Sequence, residues 1–121
     1  MYLWRIDIGG IDMIELTRNE EWILLSIWKL KENAYGVTIR QSFKRITGKT
    51  LNFGSLYNTL YRMVQRGLVS SGESDPQARP GGRRRILYML TEAGDKALAE
   101  AQETQRSAWS DVPDFAFMKG K

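Results

Sequence analysis

Ser55, Asn58, Thr59, Arg62, Gln65 and Arg66 recur at three- and four-residue spacing, which puts hydroxyls, amides and two guanidiniums on one side of a helix with no acid among them. Such groups suit the recognition of base edges rather than the making of bonds. An α-helix fits the major groove of duplex DNA, where Arg pairs bidentately with guanine and Asn with adenine. The same residues would also serve as an ordinary solvated face, so the surrounding charge weighs between the two readings. Residues 33–72 contain six basic side chains (Arg40, Lys44, Arg45, Lys49, Arg62 and Arg66) and no Asp or Glu. Across residues 33–91 the net charge is +8, while the segments on either side carry −2 each. Segregation of this kind speaks of a polyanionic partner rather than of a fold.

The remaining composition excludes more than it suggests. The chain has 121 residues with neither cysteine nor histidine, which removes disulfides, thiolate nucleophiles, nearly all zinc sites and His-based acid/base schemes. Gly48-Lys49-Thr50 imitates the end of a phosphate loop, but Phe43 stands where the first glycine of that motif belongs, so the segment reads as a helix cap and turn. The carboxylate pairs Glu20/Glu21 and Glu100/Glu103 sit where helix caps and solvated faces place them. No enzyme, cofactor or metal is expected. No apolar run approaches the roughly 18 residues of a membrane span, and Asp7 and two glycines stand where a signal peptide is apolar; a cytoplasmic protein without membrane partners is expected.

One domain must position these groups. Thr17-Arg18-Asn19-Glu20 is a capping box, predicting a first helix with Ile23, Leu24, Ile27, Trp28 and Leu30 as its apolar positions and Asn33 at its end. A second helix is predicted from about Val37 to Gly48, with Ile39, Phe43 and Ile46 inward and Arg40, Lys44 and Arg45 outward. The third runs from about Phe53 to Arg66 behind Asn52 as cap, with Phe53, Leu56, Tyr57, Leu60, Tyr61, Met63 and Val64 inward, and stops at Gly67. Two β-prone runs follow, Leu68 to Glu73 and Arg83 to Leu90, joined by a Pro/Gly-rich hairpin loop. Three helices and a two-stranded hairpin are the order of a winged helix-turn-helix, mainly α in an α+β class.

Thr91 then caps a further helix whose thin apolar stripe of Ala97, Leu98, Ala101 and Ala108 suits close contact with a helix of a second subunit. The expected organisation is an N-terminal extension over 1–16, where Tyr2, Trp4, Ile6 and Ile8 alternate as in a strand, a winged-helix domain over 17–91, a dimerisation helix over 92–110, and a tail over 111–121. Arg79, Arg83, Arg84 and Arg85 belong to the wing, within reach of backbone phosphates or an adjacent minor groove. Strand alternation puts Arg83 and Arg85 on one face and Arg84 on the other. A solubilising hairpin is the alternative for these arginines, as a solvated face is for Thr38, Arg40 and Lys44. Tyr57 sits at the edge of the apolar arc, where either core packing or a phosphate contact suits it. Trp28 and Trp109 read as core or interface residues that could also wall an apolar cavity in a dimer.

Ala34-Tyr35-Gly36, Gly54-Ser55-Leu56-Tyr57, Leu60-Tyr61-Arg62-Met63, Gly67-Leu68-Val69 and Gly82-Arg83 through Leu90-Thr91-Glu92-Ala93-Gly94 resemble the PadR family of transcriptional regulators over about residues 16–100. Asn58 departs from the Pro common in that family, and a single helix after the wing resembles its shorter subfamily. The resemblance implies a dimeric winged-helix DNA-binding regulator, usually a repressor, with the helix after the wing building the dimer. Relatives respond to phenolic acids, drugs or other small aromatic ligands.

Together these readings give a homodimer on double-stranded DNA. Ser55, Asn58, Thr59 and Arg62 are expected to read or flank bases, and Gly54 is expected among the DNA-contacting residues. Tyr35, Thr38, Arg40, Lys44, Tyr57, Arg79, Arg83, Arg84 and Arg85 are expected on the backbone, and Trp28, Leu98, Ala101 and Trp109 at an effector or dimer interface. Two other classes stay open: a winged-helix protein-interaction module, and a ligand sensor with only weak DNA binding.

Overall fold

A computed structural model describes residues 14–74 and 85–115. The element order is α1 (Arg18–Leu30), a short 3₁₀ turn (Lys31–Asn33), α2 (Gly36–Thr47), α3 (Phe53–Gln65), β1 (Val69–Glu73), β2 (Ile86–Leu90) and α4 (Glu92–Trp109). This is the winged-helix order that the sequence predicts. Tyr2 and Trp4 of the expected N-terminal strand, Arg79, Arg83 and Arg84 of the wing, and Phe117 of the tail lie outside the described residues.

α1, α3 and α4 each start where a side chain satisfies an orphan amide. At α1 the Glu20 amide donates to Thr17 Oγ1 at 3.1 Å and the Thr17 amide donates to Glu20 Oε1 at 2.9 Å. At α3 the Ser55 amide donates to Asn52 Oδ1 at 2.8 Å, and at α4 the Gly94 amide donates to Thr91 Oγ1 at 3.0 Å. The end of α3 is set as locally. Gly67 has φ +77°, its amide donates to the Val64 carbonyl, and the Leu68 amide reaches back to the Met63 carbonyl. That pair of bonds is a Schellman closure, for which a glycine in the left-handed region is the favoured residue.

The core forms where α1, α2 and α3 meet the sheet. Ile23, Leu24, Ile27, Ala34, Ile39, Phe43, Leu56, Leu60, Met63, Leu68, Val69, Tyr88 and Ala97 are buried together. Each large aliphatic chain removed from water contributes about 1.5–3 kcal/mol. β1 and β2 pair antiparallel, from Val69 opposite Leu90 to Glu73 opposite Ile86. The other edge of β2 is capped by the segment before α2: the Tyr88 amide donates to the Ala34 carbonyl at 2.9 Å, and Tyr35 bridges Leu87. The wing is thereby anchored to the start of α2 as well as to the end of α3. Among the described residues, no helix is long and apolar enough to cross a membrane.

Several expected orientations differ. Trp28 is 51% exposed, so α1 buries a narrower stripe than its spacing predicts. Phe53, Tyr57 and Tyr61, expected inward on α3, are exposed, while Thr59, expected outward, is buried. The reason for Thr59 is local: its hydroxyl donates to the Ser55 carbonyl at 2.9 Å, which satisfies the group without water. Ala108 is exposed on α4, whose inward residues are Gly94 and Ala97 with Leu98 and Ala101 half-buried. Glu20 and Glu21 are buried rather than solvated. Glu20 is held by its cap and by Arg66 Nη1 at 3.2 Å, and Glu21 by Gln105 Nε2 at 2.6 Å.

Candidate nucleic-acid interface

α3 lies against α2 and β1 along its buried residues Leu56, Thr59, Leu60 and Met63. Its opposite side therefore faces outward, and it carries Gly54, Ser55, Asn58, Tyr61, Arg62 and Gln65, all exposed. Ser55, Asn58 and Arg62 stand where the sequence predicts. Arg62 Nη2 donates to Thr59 Oγ1 at 3.3 Å, so the buried hydroxyl steadies the guanidinium rather than facing a partner itself. No acidic residue occurs on α3, and no internal ion pair neutralises Arg62 among the described residues.

The cations around α3 divide into free and committed ones. Lys44 is exposed on α2. Arg40 is fixed across the turn between α2 and α3: its Nε donates to the Leu51 carbonyl at 2.6 Å, and its guanidinium carbon lies 4.4 Å from the Phe53 ring centroid. That ring stacks in turn on Tyr57, with centroids 6.1 Å apart. Arg40 thus presents a pre-oriented charge beside the N-terminus of α3, which costs less side-chain entropy on binding than a free chain would. Arg85, at the start of β2, lies 4.0 Å from the Tyr35 ring centroid. Arg66, though exposed, is committed to the scaffold, bonded to Glu20 and, through Nη2 at 2.8 Å, to the Glu15 carbonyl.

The other backbone candidates are part of the scaffold. Thr38 accepts the Tyr35 amide at 3.0 Å and donates to the Asn33 carbonyl at 2.6 Å, so its hydroxyl closes the start of α2. Tyr57 lies over Gly36, and a Cβ on that glycine would fall 1.9 Å from the phenol oxygen. Burial in the wing, and then the neighbouring Tyr57, push the Tyr88 phenol above its ordinary value. Tyr57 thus joins α3 to α2. The sequence signal for this role was the glycine two residues after Ala34, which carries no meaning until the helices are packed.

Of the residues expected at an effector or dimer interface, Trp28 and Leu98 face one groove between α1 and α4, with a volume of about 550 Å³. Trp22, Leu25 and Ala99 complete its apolar wall, and Glu21, Asp95, Gln102 and Gln105 line its polar margin. Lys31 sits 3.9 Å over the Trp28 ring and Arg18 5.6 Å over the Trp22 ring. Ala101 borders a neighbouring groove, and Trp109 lies apart, edge-on to Phe115 at 5.7 Å. Trp22 and Leu25, which sequence reading did not single out, therefore belong with Trp28. The three-residue steps from Trp22 to Leu25 to Trp28 on α1 were the available signal.

Residues 24–100 match the family described as the Transcriptional regulator PadR-like family. No curated protein matches the sequence. Among solved structures, RosR of H. salinarum is similar at 28% identity over 85% of this chain and 84% of that one, with a TM-score of 0.66. The hsRosR-S4 complex is similar at 30% identity, covering 83% of this chain and 77% of that one, with a TM-score of 0.62. A PadR family transcription regulator from Clostridium difficile is similar at 29% identity over 76% of this chain and 92% of that one, with a TM-score of 0.58.

Proposed function

The chain belongs to the PadR-like family of transcriptional regulators, and from that membership we propose that it is a homodimeric, cytoplasmic repressor that reads a pseudo-palindromic duplex through α3 and is released by a small aromatic ligand. The observation that carries the DNA-binding part is the outward side of α3, where Ser55, Asn58 and Arg62 stand exposed with no acid beside them. Ser55, Asn58 and Arg62 read or flank bases, with Gly54 admitting close approach. Arg40, Lys44, Arg85 and the wing arginines Arg79, Arg83 and Arg84 hold phosphates, as such cations do in most protein–DNA contacts. Tyr35, Thr38, Tyr57 and Thr59 act by orienting these groups.

In this reading residues 17–91 are the DNA-binding unit and 92–110 the dimer helix, with 1–16 and 111–121 as extension and tail. Support for a second subunit comes from the open Trp-walled groove between α1 and α4. Two copies of α3 then enter successive major grooves ~34 Å apart. An aromatic ligand has Trp22 and Trp28 to stack against, with Leu98 beneath.

Selection of bound sequences from a random duplex pool, followed by titration against salt, tests the reading. If about four phosphates are neutralised, affinity falls ~100-fold between 50 and 200 mM salt. Affinity that ignores salt, or a pool that yields no preferred sequence, removes the proposal. The ligand part stands or falls on whether an aromatic compound that quenches tryptophan fluorescence also lowers operator affinity.

A further inference from the structure

Tyr61 is the most exposed aromatic residue of α3, at 66% against 46% for Tyr57 and 38% for Phe53. Its neighbours at helical spacing are Gly54, Asn58 and Gln65, all exposed, and at about 100° per residue the four form a single ridge. That ridge is centred opposite the buried residues Leu56, Leu60 and Met63. The two other aromatics are engaged inside the protomer: Phe53 carries the Arg40 guanidinium and stacks on Tyr57, and Tyr57 lies over Gly36. Among the described residues Tyr61 has no ring contact, cation contact or side-chain hydrogen bond. Its ring gains little from folding, because an exposed side chain removes little apolar area from water.

Asn58 and Gln65 flank it on the same ridge, and both amides match the N6 and N7 edge of adenine. Wherever an adenine is read in the major groove, the C5-methyl of a thymine stands on the same base pair, and that methyl offers the groove an apolar contact. We propose that Tyr61 is a specificity-determining residue, its ring packing on the C5-methyl of a thymine beside the adenine read by Asn58 or Gln65. The half-site then contains an A·T pair at this step. The inference rests on α3 being the recognition helix and adds a residue and a base preference to that reading.

The experiment uses the full chain and the duplex selected from the random pool, with each half-site thymine replaced in turn by deoxyuridine, which lacks only the methyl. The native protein should lose about fourfold in affinity at one thymine, the worth of one buried methyl. Tyr61→Ala should bind the thymine and uracil duplexes equally, and Tyr61→Phe should keep the difference, since the ring and not the hydroxyl makes the contact. The proposal is overturned if no thymine is sensitive, if the sensitivity persists in Tyr61→Ala, or if Tyr61→Phe abolishes it. Equal weakening by Tyr61→Ala on every duplex also overturns it, making Tyr61 a backbone contact. Binding that survives without any thymine effect rejects Tyr61 alone, whereas failure to bind any duplex rejects the recognition helix with it.

Discussion

The phenol oxygen of Tyr57 on α3 lies over Gly36 on α2, so that a methyl on that glycine would fall 1.9 Å from it. The obstructing atom is the far end of a half-exposed side chain, which can swing away. Gly36→Ala is therefore expected to cost little stability, within about 1 kcal/mol by chemical denaturation, yet to weaken duplex binding by displacing the ring that backs Phe53 and Arg40. In a Tyr57→Ala background the same change should have no further effect on binding, a non-additivity that a double-mutant cycle reads directly.

Gly94 gives the contrasting outcome. A Cβ there would lie 2.1 Å from the Leu68 carbonyl oxygen, a backbone atom fixed by the Thr91 amide at 3.0 Å. Nothing can move without shifting α4 off the sheet. Gly94→Ala should destabilise by about 1–3 kcal/mol, read as a lower urea midpoint.

Ser26 is fully buried on α1 and, among the described residues, its Oγ has no hydrogen-bond partner. An unpaired buried hydroxyl is a net cost, and alanine is also the better helix former. Ser26→Ala should leave stability unchanged or raise it by up to about 1 kcal/mol, whereas Thr17→Ala, which opens the α1 cap, should cost about 1 kcal/mol. Thermal unfolding of the two variants side by side checks both signs.

Alkaline pH should loosen the wing. Burial first, and then Tyr57, raise the Tyr88 phenol above its ordinary value of 10.0, so the folded chain keeps this proton to higher pH than the unfolded one. The stability it contributes is complete below about pH 10 and declines as pH rises toward and through the raised value. Tyr88→Phe has no proton to lose and should show a shallower decline in that window, measured by denaturation at successive pH values.

Arg62 and Lys44 should separate base reading from backbone holding. Arg62→Ala is expected to cost about 1–3 kcal/mol on the selected duplex and much less on unrelated ones, while Lys44→Ala should weaken all duplexes alike and reduce the salt slope by about one. Uniform loss for Arg62→Ala would place it on phosphate.

The helix starts at Thr17, Asn52 and Thr91 and the stop at Gly67 were legible in the chain because a cap joins residues three or four apart. The acid-free basic block was legible too, since net charge needs no coordinates. Three features were not: the inward turn of Thr59 and outward turn of Tyr61, the commitment of Arg66 to Glu20 forty-six residues away, and the seat of Tyr57 on Gly36. Helical periodicity orders residues around an axis, but it does not say where the buried arc begins. That boundary depends on which elements pack against α3 and on whether a polar side chain can satisfy itself, as Thr59 does on Ser55. Capping is local chemistry written in adjacent residues, whereas the face that α3 offers to a partner is what remains after α2 and β1 have taken theirs.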